Sequence, residues 1–403
     1  MRKAKMNVVV AALSAPSKEN GVSRHAINLA RALLSQRIVT AVHFLAGKWQ
    51  SEMFLNALSQ IDERLHTHWL SLTSVNLSRL FWYWRELPHI AEQLKADVVH
   101  LTFPVPITSR AFSCSTVLSL HDLYPFDIPE NFGFWKRWLA RRTVEQCIKR
   151  VDGIACVSSS TREHLNEWFP FEVRKTVVIP NVIEADPAAA IDCGPELLRG
   201  KDFVLCVAQH RRNKNIPFTI RVFEAAIRLG IVSSNSLLVV VGIHGPETAR
   251  IEAQISKSKL RGRVSLLSGV PDSELRWCYK NCALLLAPSI VEGFGLPIAE
   301  GMRAGCRIVC SDIPAFREVG GESCHFVPWA GDVIEAYAEA IRTTLALPKP
   351  DPFRLPHLSP SAIGRRYLDL YESLSCPQNP EVGILRQREG SANTDKPGTL
   401  RPL

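Results

Sequence analysis

Short, continuously apolar runs recur along this chain, and they constrain its fold more than any other feature. Twelve of them, mostly separated by segments with helical periodicity, lie at residues 7–13, 39–45, 97–101, 115–120, 153–158, 175–180, 203–208, 236–242, 264–269, 282–288, 306–312 and 324–328. Continuous apolar runs are typical of parallel strands that are covered by helices on both faces. Their alternation with helical segments predicts an α/β fold of βαβ units in open, doubly wound sheets.

The runs form two sets of six, which predicts two domains of similar size. We place the first domain at 1–183 and the second at 201–357, with a Pro-, Ala- and Gly-bearing linker at 184–200 between them. A helical segment follows at 358–375. The last stretch, 376–403, is polar and contains several prolines, so we expect it to be disordered.

The net charge of the chain bears on the kind of ligand or surface that it could bind. The 403 residues are 46% hydrophobic, and 48 Lys and Arg against 39 Asp and Glu give a net charge of +9. A positive balance suits an anionic ligand, an anionic membrane surface or nucleic acid, but it is equally compatible with a soluble protein that has a basic surface.

The cysteines and the lengths of the apolar runs indicate the cellular compartment in which the protein works. The Cys count of 11 is odd, and several have apolar neighbours, which favours buried thiols in a reducing cytoplasm over a disulfide framework. No C-x-x-C pair suggests a zinc site. No run approaches membrane-spanning length, and the apolar core at 8–13 is shorter than that of a signal peptide. We therefore expect a cytoplasmic protein.

The stretch SIVEGFGLPIAEGMRAG, residues 289–305, carries two acids around a glycine-rich turn. Glu292 precedes the turn, and Glu300 lies in the first turns of the helix predicted after it. Ligands bind at the carboxyl ends of strands in open α/β sheets, and the free N–H groups of a helix start suit a phosphate. The Glu300 carboxylate can accept two hydroxyl hydrogen bonds, as a ribose diol offers. The alternative is that such an acid only complements the helix dipole.

A basic loop, QHRRNKN at 209–215, follows the first apolar run of the second domain. Its three cations, Arg211, Arg212 and Lys214, fit a diphosphate clamp, because Arg binds phosphate as a fork and Lys as a point charge. The alternative is a solvated basic loop. Few aromatic residues interleave these charges, so we expect no nucleic-acid partner.

Together these residues resemble the retaining glycosyltransferases of family four. The most specific part, 289–322, follows that family's E-x7-E pattern, and weaker matches lie at 121–125, 157–165, 178–183, 207–215 and 269–275. The resemblance implies a GT-B fold, in which two Rossmann-like doubly wound domains face a cleft. The donor would sit mainly on the second domain and the acceptor on the first. Segment 358–375 would be the helix that often crosses back to the first domain.

The resemblance also implies roles for individual residues. Glu300 matches the acid that holds the donor ribose, and Glu292 matches the acid near the transferred sugar. His121 matches a histidine that contacts this sugar; the alternative is a loop histidine that caps local backbone. Further donor contacts would come from Gly21, Val270, Phe294, Gly295 and Leu296.

The phosphate-binding residues match the family only in part. Lys214 matches the phosphate-binding lysine, but Ala208-Gln209 stands where the family often has Gly-Arg. Either Arg211 or Arg212 would then replace that arginine, and the resemblance leaves open which one does.

The implied function is transfer of a hexose, of mannose or glucose type, from a nucleoside-diphosphate sugar with retention of configuration. The acceptor would be a glycan or lipid-linked glycan in bacterial polysaccharide synthesis. No Asp-x-Asp pair occurs, so we expect no metal, and no cofactor besides the sugar-nucleotide co-substrate. The alternatives are a GT-B sugar-nucleotide epimerase and an inactive sugar- or polyanion-binding scaffold.

An aromatic cluster within RLFWYWRELPHI, residues 79–90, has two interpretations. It is either a core-packed helix face or an interfacial patch that meets a lipid-linked acceptor at the inner face of the membrane. Three histidines outside any motif, His66, His68 and His89, are interpreted as surface residues.

Overall fold

Two parallel sheets organise the chain. The computed structural model describes residues 5–15, 21–58, 62–72, 77–108, 111–131, 133–183 and 194–375. The first sheet contains seven strands: β1 (Met6–Ala11), β2 (Val39–Gly47), β3 (Leu65–Leu70), β4 (Val98–Leu101), β5 (Ser115–Leu120), β6 (Gly153–Cys156) and β7 (Thr176–Val178). Their order in space is β3-β2-β1-β4-β5-β6-β7, and every neighbouring pair is parallel.

The second sheet repeats this plan with six strands. They are β8 (Phe203–Val207), β9 (Leu237–Val241), β10 (Val264–Leu267), β11 (Leu284–Ala287), β12 (Ile308–Ser311) and β13 (His325–Val327). Their order is β10-β9-β8-β11-β12-β13, again parallel throughout. In both sheets the order reverses beside the first strand, which opens a crevice at the carboxyl ends of the strands.

Helices cover both faces of each sheet. They are α1 (Gly21–Leu34), α2 (Ser51–Leu58), α3 (Leu77–Phe81), α4 (Leu87–Gln93), α5 (Tyr124–Asp127), α6 (Phe134–Arg150), α7 (Ser159–Trp168), α8 (Ile216–Arg228), α9 (Thr248–Lys257), α10 (Asp272–Asn281), α11 (Leu296–Arg303), α12 (Pro314–Gly320), α13 (Val333–Ala346) and α14 (Pro360–Ser375). Each sheet separates two buried apolar clusters, as a doubly wound sheet requires. The predicted fold class, two Rossmann-like domains, is confirmed.

Each of the twelve apolar runs contains a strand, but the edge strand β3 is an additional one. Its sequence, LHTHWL, is not a continuous apolar run, because three polar residues stand at its centre, and as an edge strand it is only partly covered. Two predicted surface histidines, His66 and His89, are exposed. The prediction was wrong for His68, which is half-buried and lies 3.1 Å (Nε2) from Nδ1 of His43 on β2.

Helix α14 packs against α1, on the first domain. Tyr367 and Tyr371 are buried in the same apolar cluster as residues of β1 and α1. The two helices approach closely at Gly364, where an added Cβ would lie 2.1 Å from the Ala32 carbonyl oxygen. The predicted tail at 376–403 and most of the predicted linker, 184–193, lie outside the described residues.

The aromatic cluster at 79–90 is divided between core and surface. A π-helical turn, Trp82–Glu86, joins α3 to α4. Trp82 and Tyr83 are buried, and the Tyr83 hydroxyl donates to the Leu13 carbonyl at 3.0 Å. Phe81 and Trp84 are about half exposed. This division contradicts a continuous interfacial patch, because half of the cluster packs in the first domain. Among the described residues, no helix is both long and apolar enough to cross a bilayer.

Candidate active site

A cleft of about 830 Å³ lies between the two domains, at the carboxyl ends of their strands. Ten of the eleven predicted site residues line it: Gly21, His121, Arg211, Lys214, Val270, Glu292, Phe294, Gly295, Leu296 and Glu300. Arg212 is the exception. The structure therefore brings together residues that are as much as 279 positions apart in the chain, from Gly21 to Glu300.

The turn between β11 and α11 needs its glycines for two different reasons. Gly295 precedes α11 with φ of 101°, a left-handed conformation that favours glycine. Gly293 allows a close approach between domains, since an added Cβ would lie 1.7 Å from the His121 carbonyl oxygen. The Gly293 carbonyl accepts hydrogen bonds from Ser158 and Thr161 at the start of α7. The turn is thus held against the first domain.

Glu292 is buried, with 7% of its surface exposed, and each of its carboxylate oxygens has a hydrogen-bond partner. Lys214 Nζ lies 2.5 Å from Oε1, and the Ser289 hydroxyl donates to the same oxygen at 2.7 Å. The Tyr124 hydroxyl reaches Oε2 at 3.4 Å. A buried carboxylate requires such partners, since an unpaired buried charge is very costly. Glu292 therefore positions the ammonium group of Lys214 at the cleft.

The two arginines of the basic loop, Arg211 and Arg212, line different cavities. A short 3-10 turn, Arg212–Lys214, ends at Asn215, which adopts left-handed φ of 52°. Arg211 and Lys214 line the cleft. Arg212 instead lines a separate cavity of about 470 Å³ with residues of α8 and α9. Of the two candidates for the phosphate-binding arginine, the geometry favours Arg211, because Arg212 does not line the cleft between the domains.

Glu300 lies in the second turn of α11, between partners from both domains. Its Oε1 accepts from Arg24 Nη1 at 3.0 Å, and its Oε2 accepts from the Tyr279 hydroxyl at 2.7 Å. Arg24 also pairs with Asp272 at 2.6 Å. Burial raises the pKa of Tyr279 well above its usual value, so this hydroxyl remains a donor. Each carboxylate oxygen retains a lone pair for a hydroxyl of a bound ligand.

His121 is neutral and has a defined tautomer. Burial lowers its pKa to about 4. Nε2 lies 2.9 Å from the Thr102 carbonyl oxygen, which can only accept, so the proton is on Nε2. Nδ1 is left as an acceptor, suited to a sugar hydroxyl. The ring stacks edge-on against His25, with 4.5 Å between centroids.

Several cleft residues were not predicted from the sequence. Asp122 lines the cleft, and burial raises its pKa to about 6. Tyr124 contacts Glu292 and also accepts from Asn213 Nδ2 at 3.2 Å. The segment HDLYP, 121–125, contained the signal for Asp122 and Tyr124, because it follows the predicted strand directly. Arg24 had no such signal, since its partner Glu300 lies on the other domain.

One side of the cleft has the charge that suits an anion. Arg211, Lys214 and the N-terminal end of the α11 dipole supply positive potential on one side of the cleft. In the part of the chain that the structure describes, no group of three or more His, Cys, Asp or Glu could hold a metal ion. Two Rossmann-like domains on either side of a cleft, with Lys214 and Glu300 in its lining, have the architecture of a GT-B glycosyltransferase.

The sequence matches two family models that together cover most of the chain. Glycosyltransferase Family 4 matches residues 19–187, and Glycosyl transferases group 1 matches residues 195–352. The chain belongs to the family-four glycosyltransferases. The crystal structure of WaaG, a glycosyltransferase involved in lipopolysaccharide biosynthesis, aligns with 91% of this chain and 98% of its own, with a TM-score of 0.62 and 18% identity. At that identity the likeness shows a common fold.

Curated relatives are bacterial mannosyltransferases. O-antigen chain mannosyltransferase B of Escherichia coli is 24% identical over 218 residues, which cover 51% of this chain and 55% of that protein. Lipopolysaccharide core biosynthesis mannosyltransferase LpcC of Rhizobium leguminosarum bv. viciae is 31% identical over 211 residues, which cover 50% and 56%. The chain thus spans about half the length of the curated relatives it matches.

Proposed function

We propose that this protein is a retaining hexosyltransferase that uses a nucleoside-diphosphate sugar. The observation that carries the proposal is the placement of Lys214, held by Glu292, and of Glu300 along one cleft. Lys214 suits the diphosphate, and Glu300 suits the ribose diol. This division between phosphate and ribose is the arrangement that the family resemblance predicts, and the roles of both acids remain predictions.

The transferred sugar is proposed to be mannose, because both relatives named above are mannosyltransferases of surface polysaccharides. The acceptor is proposed to be a growing glycan or a lipid-linked glycan in bacterial polysaccharide synthesis. We place the reaction in the cytoplasm, at the inner face of the membrane, where a lipid-linked acceptor is accessible. No cofactor besides the sugar nucleotide is required.

Catalysis would rest mainly on stabilising the leaving diphosphate. The bond between the sugar's anomeric carbon and the phosphate oxygen breaks, and negative charge develops on that oxygen beside Lys214, Arg211 and the start of α11. The acceptor oxygen bonds to the same face of the oxocarbenium-like sugar. Its proton passes to the departing phosphate. Neutral His121 would accept a hydrogen bond from a sugar hydroxyl through Nδ1, and its pKa, lowered to about 4 by burial, makes it a weak general base.

A panel of sugar nucleotides tests the proposal directly. A mannosyl nucleotide at about a hundred times its dissociation constant should stabilise the protein by roughly 2.7 kcal/mol, measured as a shift in thermal unfolding. It should also be hydrolysed slowly without acceptor and transferred when glycan acceptor is added. Conversion of the donor into an epimer without acceptor would instead identify an epimerase. Binding without any turnover, with or without acceptor, would identify a scaffold.

We expect turnover without a divalent metal. The cleft offers Arg211 and Lys214 where metal-dependent enzymes place a bound ion, and both acids of the motif already have other partners. The rate in metal-free buffer with EDTA should stay within a factor of about two of the untreated rate, or about 0.4 kcal/mol in the barrier. Activity lost with EDTA and restored by magnesium or manganese would contradict this neutralisation of the diphosphate.

A further inference from the structure

The first turns of α6 expose an unusual set of apolar side chains. Four large ones lie within six residues, with exposed fractions of 76% for Phe134, 78% for Trp135, 55% for Trp138 and 52% for Leu139. The buried residues of this helix all lie in its second half: Val144, Cys147 and Ile148. The first half of α6 therefore contributes little to the core of the domain. Contiguous exposed apolar surface of this kind marks a site of interaction.

Cations surround these side chains. Helix α6, with the sequence FWKRWLARRTVEQCIKR, carries six basic residues and one acid. That acid, Glu145, is already paired with Lys149 at 2.7 Å and with Arg142 at 3.6 Å. Exposed aromatic and basic residues on one helix are typical of a helix that lies in the headgroup region of an anionic bilayer. The charge complementarity favours an anionic lipid surface as the occupant.

The same helix is fixed to the rim of the cleft. Arg141 Nε donates to the Pro125 carbonyl of α5 at 2.8 Å, and its guanidinium lies 5.0 Å from the centre of the Phe126 ring. Tyr124, in the same short helix, contacts Glu292 in the cleft. Just before α6, the Asn131 side chain accepts from the Arg212 backbone N–H at 3.2 Å. A bilayer that covers the start of α6 would therefore lie beside the loop that carries the cleft residues Arg211 and Lys214.

We propose that residues 134–139 of α6 bind an anionic membrane surface and hold the cleft beside the lipid-linked acceptor. The proposal rests on the proposed function only for the identity of the acceptor. It assigns membrane contact to α6 rather than to the cluster at 79–90, of which Trp82 and Tyr83 are buried. The aromatic residues would insert among the headgroups, and Lys136 and Arg137 would meet the lipid phosphates.

Vesicle flotation of the full chain tests the surface. The double variant Trp135→Ser/Trp138→Ser is compared with Phe81→Ser/Trp84→Ser, which removes two exposed aromatic residues from another helix. The vesicles contain phosphatidylcholine alone or mixed with phosphatidylglycerol. Wild type should bind the mixed vesicles and release them as salt rises. The α6 variant should partition about tenfold more weakly or worse, because two interfacial anchors are lost, while the control variant should stay within about twofold of wild type.

Three outcomes would overturn the proposal: no vesicle binding by wild type, equal binding by the α6 variant, or equal loss in the control variant. A wild-type dimer that the α6 variant dissociates, without vesicle binding, would instead make this surface an interface between copies. Melting temperatures close to wild type would show that both variants are folded. Donor hydrolysis in vesicle-free solution should be unchanged by the α6 variant. If wild type does not hydrolyse the donor, the proposed function is contradicted. The vesicle experiment would then still decide whether α6 binds a membrane surface.

Discussion

Replacing Lys214 with Ala is expected to lower kcat by about 10²–10³, because Lys214 faces the negative charge that develops on the leaving diphosphate. That loss corresponds to about 2.7–4 kcal/mol of transition-state stabilisation. The variant should remain folded, since Glu292 keeps hydrogen bonds from the Ser289 and Tyr124 hydroxyls. Some stability will be lost, because the buried carboxylate loses its charged partner. Steady-state kinetics at saturating donor, with the melting temperature of each variant, measure the two effects separately.

The matched control is Lys201→Ala, an exposed lysine of the same domain just before β8 and outside the cleft lining. Both variants remove one positive charge, so the net charge of the protein changes equally, but only Lys214→Ala removes a charge from the cleft. Equal rates for Lys214→Ala and Lys201→Ala would show that Lys214 has no catalytic role and would favour the alternative of a solvated basic loop. Glu292→Gln offers a further comparison, because it keeps the shape of the side chain that holds Lys214 while removing its charge. It should mainly lower turnover rather than donor binding.

The fold and the positions of the main site residues could be predicted because both depend on local sequence. A buried parallel strand is a continuous apolar run, and the residue after it lies at the ligand-binding edge of the sheet. His121, Glu292 and Lys214 follow such strand ends by one, five and seven residues, so the sheet edge on which each of them lies follows from topology. Strand β3 could not be predicted in this way, because its polar residues, His66 and His68 among them, make it resemble a surface segment.

Contacts between the domains could not be predicted in this way. Arg24 and Glu300 are 276 residues apart, and nothing local to α1 indicates that its guanidinium reaches α11. The choice between Arg211 and Arg212 also needs the structure, because a loop has no periodicity that would assign neighbouring side chains to opposite sides. The division of the 79–90 aromatic cluster depends on how its π-helical turn packs against β1 and its neighbours, so exposure there could not be inferred from composition.

Replacing Glu300 with Ala is expected to weaken donor binding by roughly 1.5–3 kcal/mol, the usual contribution of a hydrogen bond to a charged group. This is about a 10- to 150-fold rise in the dissociation constant measured by calorimetry. The reason is the proposed contact between the carboxylate and the ribose hydroxyls. Arg24 keeps its partner Asp272 in the variant, at 2.6 Å, so the cationic side chain does not lose all its support. Turnover at saturating donor should fall much less than in Lys214→Ala.

A nucleotide without ribose hydroxyls separates a direct contact from a structural effect. Wild type should bind the 2′,3′-dideoxy nucleoside diphosphate more weakly than the ribose form, whereas Glu300→Ala should bind both about equally. Tyr279→Phe is the matched control, because it removes the hydroxyl that donates to Glu300 Oε2 at 2.7 Å and leaves the carboxylate in place. That variant should still distinguish the two nucleotides. If Glu300→Ala prefers the ribose form as strongly as wild type does, the carboxylate does not hold the diol, and its pairing with Arg24 is then a contact that joins the two domains.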